Sequence, residues 1–277
     1  MIFRKRTIPD EEIMTLKEQR SMLGDQLNFA AAEAYKLLRA NLTFSLPDEQ
    51  KCRVVGVTSA VRGEGKSTTS INLAYTLAET GKRVLLVEAD MRRPQLAHRL
   101  AIDAAPGLSN LLAGLCREKD VVQDVGLLEN MKVITSGDMP PNPSELLGSE
   151  RMSTVVETLA QSFDFIIFDL PPVNAVSDGL VVSRFIQGMI VVVRQDYSDR
   201  QGLSAALRQL EYMHIKVLGF VMTHSSISGG RYGRYGRYGR YGRYGQYGRY
   251  ESESRETGAD QERARKTGSA KSRKSKR

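Results

Sequence analysis

The sequence predicts an α/β fold with a doubly wound, mostly parallel sheet, and three observations point to it. Short runs of apolar and β-branched residues recur before residue 225, separated by segments with helical periodicity. These runs are continuously apolar, which indicates strands covered by helices on both faces. A glycine-rich loop follows the first run, as in phosphate-binding loops (P-loops). The runs are 53–59, 83–90, 131–137, 163–171, 188–194 and 217–223.

Composition divides the chain into three parts. Residues 1–44 are predicted to be an N-terminal helical segment, because a helical pattern of two helices runs over 10–44. Residues 45–225 contain the apolar runs and form the predicted P-loop domain. From Gly229 onward there is no Leu, Ile, Val, Phe or Met. Residues 226–277 are therefore predicted to be a disordered tail, since they cannot bury enough apolar surface to offset the entropy of ordering.

The positive charge of the chain lies in this tail. Residues 229–277 contain 15 Lys and Arg against 5 Asp and Glu, a net charge of +10, whereas the whole chain carries +8. The remainder is therefore close to neutral, at −2. The high sequence pI, about 9.5, is thus due to the tail and not to the predicted domain.

Several classes of protein are disfavoured by what the sequence lacks. No apolar run approaches the roughly 18 residues of a transmembrane helix, and the N-terminus has no signal-peptide core. The two cysteines, Cys52 and Cys116, show neither metal-ligand spacing nor a disulfide framework. We therefore expect a cytoplasmic protein whose membrane contact, if any, is peripheral.

The glycine-rich loop between the first strand and the next helix predicts a nucleotide site. It reads SAVRGEGKSTTS over 59–70, with Ala60 where the usual pattern has glycine. Its glycines let backbone amides approach phosphate oxygens, and the helix N-terminus favours an anion. Lys66 would reach the β and γ phosphates of ATP, and the hydroxyl of Ser67 would hold Mg²⁺. The predicted nucleotide-binding residues are Arg62, Gly63, Glu64, Gly65, Lys66, Ser67 and Thr68.

Acidic residues end two further predicted strands. Glu88 and Asp90 follow RVLLV, and Asp169 follows FDFIIF. Ligands of open parallel sheets bind at the carboxyl ends of the strands, so these acids are expected to converge on the phosphates. The predicted Mg²⁺ ligands are Ser67, Asp90 and Asp169. Asp178 is instead predicted to cap a helix over 179–186.

Four segments together resemble the bacterial tyrosine kinases of capsule and exopolysaccharide synthesis. They read SAVRGEGKSTTSINLA, LLVEADMRRP, MPPNPSELLGSERM and FIIFDLPPVNAVSD, and the resemblance covers about 29–225. It implies Walker A, A′ and B motifs, with ATP and Mg²⁺ as cofactors. It also implies two partners, a transmembrane polysaccharide co-polymerase that activates the kinase near the inner face of the plasma membrane and a cognate tyrosine phosphatase. The predicted domain is then a P-loop kinase domain.

The resemblance also implies roles for single residues. Lys66, Asp90, Glu88 and Asp169 are the implied catalytic residues, with Glu88 where the A′ motif usually has Asp. Asp90 with Glu88 would orient Mg²⁺-bound water or accept the phenolic proton, and the sequence does not decide between them. The segment EAYKLLRANL resembles the family's oligomerisation helix and implies a ring of identical chains. Its motif residues are Glu33, Lys36 and Arg39, with Lys where the family has Arg.

A row of tyrosines in the tail supplies candidate phosphate acceptors. They recur every third residue, at Tyr232, Tyr235, Tyr238, Tyr241, Tyr244, Tyr247 and Tyr250. Seven phosphates at about −1.5 to −2 each would add roughly −10 to −14, which reverses the charge of the tail. We therefore predict a tyrosine autokinase that modifies this cluster in trans and so regulates polysaccharide polymerisation or export. In this hypothesis the unmodified tail docks in a neighbouring active site, and phosphorylation releases it.

Two alternative functions stay open at this point. A partition or division-type ATPase of the deviant-Walker class shares the fold and loop, but carries a lysine where this chain has Val61. A nucleic-acid-binding scaffold would use the Arg–Tyr–Gly repeats for stacking and phosphate attraction, with only a structural nucleotide site. Salt-sensitive RNA binding without self-phosphorylation would distinguish the scaffold.

Overall fold

A computed structural model describes residues 22–46 and 51–225, and all structural statements below concern these residues. The tail, with its tyrosine cluster, and residues 1–21 lie outside the described part. The strands are β1 Arg53–Ser59, β2 Val84–Glu88, β3 Gln123–Asp124, β4 Met131–Ile134, β5 Phe165–Asp169, β6 Met189–Arg194 and β7 Val217–Thr223. The helices are α1 Phe29–Ser45, α2 Lys66–Ala78, α3 Leu96–Leu100, α4 Leu108–Leu112, α5 Glu118–Val121, α6 Pro143–Leu147, α7 Glu150–Ser162, α8 Asp178–Val182 and α9 Arg200–Tyr212.

The strands form one mostly parallel sheet, which confirms the predicted fold class. Its order is β3-β4-β2-β5-β1-β6-β7, and only the short β3 pairs antiparallel, with β4. The central position of β1, β5 and β2 places three predicted site segments side by side. Across the register Asp169 lies opposite Val57 on β1 and opposite Glu88 on β2. The fold therefore brings the loop after β1 and the acids of β2 and β5 to the same edge.

Helices cover both faces of the sheet, which explains why the strand sequences are continuously apolar. On one face α1 and α2 pack Leu42, Ile71 and Leu77 against inward-facing strand residues. On the other face α7, α8 and α9 contribute Val155, Val182 and Leu210, among others. Every residue of β2 and β5 is buried. Burying apolar surface on both faces supplies most of the stability of such a sheet.

The N-terminal helix packs directly on the P-loop helix. α1 begins at a capping residue, Asn28, whose side chain accepts a hydrogen bond from the Ala31 amide at 2.9 Å. Before it, Asn72 of α2 donates to the Met22 carbonyl and accepts from the Gly24 amide, both at 2.9 Å. The second helix predicted in 10–44 would lie in residues outside the described part. Within that part, no helix is long and apolar enough to cross a bilayer.

The edge strand β7 is exposed, unlike the other long strands. Phe220 and Met222 are 55% and 60% exposed, on the face opposite Val221. Its sequence is as apolar as that of β6, yet its position at the end of the sheet leaves one face without a covering helix. Apolarity alone therefore predicted the strand but not its place in the sheet.

Candidate functional site

The loop between β1 and α2 has the backbone of a phosphate-binding loop. Gly63 and Gly65 have φ angles of +79° and +96°, a region that side chains other than glycine rarely adopt. A Cβ on Gly65 would also lie 3.2 Å from Thr223 Cγ2. Gly65 occupies the N-cap position of α2 without a capping side chain. The first amides of α2 therefore stay available to an anion.

Lys66, Ser67 and Thr68 are the first residues of α2 and carry these amides. The first hydrogen bond that closes the helix runs from the Thr69 amide to the Gly65 carbonyl, at 2.9 Å. The amides of residues 66–68 thus have no carbonyl four residues earlier within the helix to pair with. The helix dipole adds a positive partial charge at the same point. The three amides point at the same end of the sheet as the acids of β2 and β5.

The side chain of Glu64, one of the residues predicted to bind nucleotide, holds the loop in shape. The buried carboxylate of Glu64 accepts from the Val61 amide at 2.8 Å and from the Ser198 hydroxyl. Only the backbone of Glu64 is therefore available to a phosphate. Arg62 lies in the loop after β1 and is exposed. Its contact with nucleotide stays a prediction.

The loop is braced by residues that the sequence analysis missed. Arg194, at the end of β6, donates to the Gly63 carbonyl at 3.0 Å, and its guanidinium lies 4.9 Å from the Tyr197 ring centroid. Thr223, at the end of β7, donates to the Glu64 carbonyl at 2.7 Å. The available signal was that both are polar residues ending strands at the same sheet edge.

The predicted catalytic lysine and two acids meet at this edge. Lys66 Nζ lies 3.0 Å from Asp90 Oδ2 and 4.0 Å from Asp169 Oδ2. Ser70 donates to Asp169 Oδ1 at 3.1 Å. Asp169 is fully buried, and among the described residues its Oδ2 accepts no hydrogen bond. A buried carboxylate oxygen without a donor is a position that a cation can fill.

Burial and charge both act on the ionisation of this group. Burial raises the pKa of Asp169, although the charge of Lys66 and the hydroxyls of Ser67 and Ser70 offset part of this effect. For Lys66, burial by itself lowers the pKa, but the charges of Asp169 and Asp90 outweigh burial, so its pKa is raised. Lys66 is therefore a cation at neutral pH, held between two acids.

Glu88 lies beside the site, but its carboxylate accepts hydrogen bonds from backbone amides. Its Oε1 accepts from the amides of Gln95 and Leu96, the latter at 2.7 Å, and its Oε2 accepts from the Ser136 amide at 3.1 Å. Burial raises the pKa of Glu88, and these three amides lower it in part. In this geometry Glu88 fixes the start of α3 and the end of β4. A direct role in proton transfer or Mg²⁺-water orientation stays a prediction that the geometry does not favour.

Glu88→Ala is expected to destabilise the fold by about 2–4 kcal/mol, because it leaves three amides without an acceptor, those of the buried Leu96 and Ser136 and that of Gln95. Urea unfolding followed by circular dichroism measures this loss. Glu211→Ala, at an exposed end of α9, is the matched control and should change stability by less than about 0.5 kcal/mol. An unchanged unfolding midpoint for Glu88→Ala would contradict the capping role.

Asp90 leads into a second, unpredicted network. Its Oδ1 accepts from the Arg93 amide at 3.2 Å. The neighbouring Arg92 forms two hydrogen bonds with Asp178, at 2.7 and 3.3 Å, and Asp178 also accepts from the Ser144 hydroxyl. The prediction that Asp178 caps a helix was wrong, because Ser177 stands at the N-cap of α8 and the Asp178 side chain turns to Arg92. The loop after β2 and helix α6 are thus both tied to the buried carboxylate of Asp178, at the start of α8.

The predicted oligomerisation residues are engaged within the chain. Lys36 and Glu33 form an exposed ion pair at 2.8 Å, a kind of contact that contributes little stability. Arg39 donates to the Thr76 carbonyl of α2 at 2.6 Å. Arg39 would have to leave this carbonyl to contact another chain, so ring assembly through these residues stays a prediction.

The geometry just described is that of a P-loop nucleotide-binding protein. The family described as AAA domain matches residues 52–218. The chain is 34% identical over 197 residues to the tyrosine-protein kinase YwqD of Bacillus subtilis, covering 71% of this chain and 82% of that protein. It is 32% identical over 203 residues to the tyrosine-protein kinase CapB (a putative assignment) of Staphylococcus aureus, covering 73% and 88%. The chain belongs to the family of bacterial tyrosine-protein kinases.

Solved structures agree with this assignment. The chimerical protein CapA2B2 superposes with a TM-score of 0.69 at 31% identity, covering 74% of this chain and 89% of that one. The kinase domain of the Escherichia coli tyrosine kinase ETK gives 0.68 at 30% identity, covering 82% and 86%. The full-length E. coli etk protein is much longer, since the match covers 26% of it. These comparisons support the kinase reading over the partition-type ATPase.

Proposed function

We propose that the chain is an ATP- and Mg²⁺-dependent protein-tyrosine autokinase that phosphorylates the tail tyrosines of another copy. The observation that carries the proposal is the meeting of Lys66, Asp90 and Asp169 beside the free amides of α2. Membership of the tyrosine-protein kinase family supports the same reaction. Neither Glu88 nor Glu64 is needed as a reacting group, because both carboxylates are bonded within the fold.

The oxygen atoms present fit a magnesium ion. Mg²⁺ prefers oxygen ligands and usually binds through one or two carboxylates, water and substrate phosphates. Asp169, whose buried Oδ2 accepts no hydrogen bond among the described residues, would hold the ion together with Ser67 and Asp90. Bound there, it would neutralise charge on the β and γ phosphates during transfer.

The protein groups then divide the work of transfer. The amides of α2 and the side chain of Lys66 would hold the phosphates, which are stronger anionic partners for Lys66 than Asp90 alone. Release of Lys66 would leave Asp90 Oδ2 free to accept the proton of the phenol. A bond forms between the tyrosine oxygen and the γ phosphorus, the bond from that phosphorus to ADP breaks, and the proton leaves through Asp90 or water.

The acceptors are proposed to come from the tail of a neighbouring chain. Thr223 contacts the P-loop carbonyl of Glu64, so the described chain ends beside the nucleotide site. Six residues lie between Ser225 and Tyr232, so the two are at most about 25 Å apart along the chain. The length of this segment therefore permits transfer to a tail tyrosine. Assembly into a homo-oligomeric ring would favour the neighbour.

Regulation of polysaccharide polymerisation or export belongs to the same proposal. A transmembrane co-polymerase would hold the kinase at the inner face of the plasma membrane and activate it. A cognate tyrosine phosphatase would remove the phosphates from the tail. The basic tail, at +10 before modification, would change sign when fully phosphorylated. Phosphorylation and dephosphorylation would thus switch the charge of the tail between negative and positive.

Mixing two full-length variants tests the reaction and its direction together. Lys66→Met is expected to be inactive but to keep its acceptors, whereas replacing the seven tail tyrosines with Phe leaves an active site without acceptors. Intact-protein mass spectrometry after incubation with Mg-ATP and an activator fragment should show phosphate steps on the Lys66→Met chain only when both variants are present. The steps should map to Tyr232–Tyr250.

The controls separate the alternatives. Lys66→Met alone should gain no phosphate, and the wild-type chain should gain up to seven. Phosphorylation of the wild-type chain but never of Lys66→Met in the mixture would contradict transfer in trans. ATP hydrolysis by the wild-type chain without added mass would overturn the autokinase and favour the partition-type ATPase.

A further inference from the structure

An arginine on α3 reaches the P-loop helix from outside the predicted motifs. Arg99 Nη1 donates to Thr68 Oγ1 at 3.2 Å. α3 is held in place by Glu88, which accepts from the amides at its start. The backbone that carries Arg99 is therefore fixed by the same strand end that leads to Asp90. Arg99 is positioned beside the nucleotide site by the fold and not by a flexible loop.

Arg99 differs from the paired arginines of the described residues. Arg83, Arg92 and Arg117 each have an aspartate within ion-pair distance. Across residues 22–46 and 51–225 no carboxylate lies within that distance of Arg99, and its buried Nε donates to no acceptor. Burial lowers the pKa of Arg99, opposed only by the more distant charge of Asp169. A partly buried guanidinium without an anion is costly unless a ligand supplies one.

The position of Thr68 indicates which anion this is. Thr68 is the third residue of α2, and its amide is one of those that precede the first helical hydrogen bond. Lys66, two residues before Thr68, is paired with Asp90 and so lies beside the acids. The Arg99 guanidinium adjoins Thr68 instead, and a planar guanidinium matches two phosphate oxygens.

We propose that Arg99 is a phosphate-binding residue of the nucleotide site, and that it contacts a phosphate common to ATP and ADP. The inference rests on the proposed nucleotide function and extends it to a residue outside the Walker motifs. Arg99 would close the site opposite Lys66, so that the phosphates lie between two cations. Binding of either nucleotide would then fix α3 against α2.

Nucleotide titration of the full-length chain tests the proposal. Arg99→Ala is expected to raise the Kd for fluorescent ADP and ATP, with Mg²⁺ present, by about tenfold or more and by similar factors. Arg99→Lys, which keeps the charge but not the planar fork, should recover part of the affinity. Arg200→Ala removes the same charge at an exposed position on α9 and should leave both constants within about twofold.

Thermal unfolding without nucleotide keeps the result interpretable. Arg99→Ala should unfold at the wild-type temperature or above it, because it removes a partly buried cation without a paired anion. Unchanged Kd values for both nucleotides would overturn the proposal, and so would a loss confined to ATP, which would assign Arg99 to the γ phosphate. Failure of the wild-type chain to bind either nucleotide would refute the proposed function itself, and is distinguishable because it does not depend on the variant.

Discussion

Asp169→Asn is expected to lower the rate of tyrosine phosphorylation by about 10²–10³-fold. The substitution keeps the shape of the side chain but removes the negative charge that would hold Mg²⁺. Asp169 Oδ2 has no hydrogen-bond donor among the described residues, so the oxygen is available to an ion. Initial rates of phosphate incorporation at saturating Mg-ATP measure the loss. Asp103→Asn, at an exposed position beyond α3, should keep the wild-type rate.

The same substitution is expected to leave the free energy of unfolding unchanged or slightly higher. Because the folded state raises the pKa of Asp169, its ionisation at neutral pH disfavours the folded state. Asn still accepts a hydrogen bond from Ser70, and Lys66 keeps Asp90 as its partner. Such a trade of stability for activity is common at functional sites. A melting temperature more than about 5 °C below that of the wild type would assign Asp169 to folding and not to chemistry.

The part of the site that could be predicted from sequence is the part set by backbone topology. GEGKST after an apolar strand predicted a glycine loop and a helix N-terminus, and in the structure Gly63 and Gly65 adopt positive φ angles just before α2. Acids at the ends of two buried strands had to lie at one edge of a parallel sheet. Asp90 and Asp169 lie within ion-pair distance of Lys66 at that edge, and their roles in catalysis stay a prediction.

The partners of individual side chains could not be predicted, because they depend on distant segments. Glu88 was predicted to be a second catalytic acid, but its carboxylate accepts hydrogen bonds from the amides of Leu96, at the start of α3, and Ser136. Arg39 resembled an oligomerisation residue, yet it bonds the Thr76 carbonyl. Arg99 belongs to no motif, and only the packing of α3 on α2 brings it to Thr68. Pattern predicts which edge a residue reaches, whereas packing decides what it contacts there.

The arrangement of charges in the site follows from these contacts. Lys66 stands between two acids, whereas Arg99 contacts Thr68, two residues further along α2, and has no carboxylate within ion-pair distance among the described residues. Without nucleotide, Lys66 is neutralised by protein carboxylates, whereas Arg99 has no ion-pair partner among the described residues. A polyphosphate with Mg²⁺ would supply an anion to both cations and a cation to both acids. Electrostatic complementarity of this kind favours the metal–nucleotide complex over either component alone.

Asp178→Ala is expected to lower the melting temperature by about 5–10 °C and kcat by about tenfold, with little change in the KM for ATP. Asp178 is 1% exposed and ties Arg92 and Ser144 together. Arg92 lies two residues after Asp90, so loss of the carboxylate frees the loop that positions Asp90. The P-loop itself is braced by Arg194 and Thr223 and should keep its shape. Differential scanning fluorimetry and steady-state kinetics well below the melting temperature measure the two effects.

Asp164→Ala is the matched control for this positioning role. Asp164 also forms an arginine pair, with Arg83 at 2.8 Å, but these residues precede β5 and β2 and so lie at the opposite edge of the sheet. Breaking that pair should lower the melting temperature while leaving kcat unchanged, and Arg92→Ala should reproduce the kcat loss of Asp178→Ala. Equal kcat values for Asp178→Ala and Asp164→Ala would show that Asp178 contributes only stability. A kcat loss specific to Asp178 and Arg92 would instead extend the active site through the carboxylate that joins its loops.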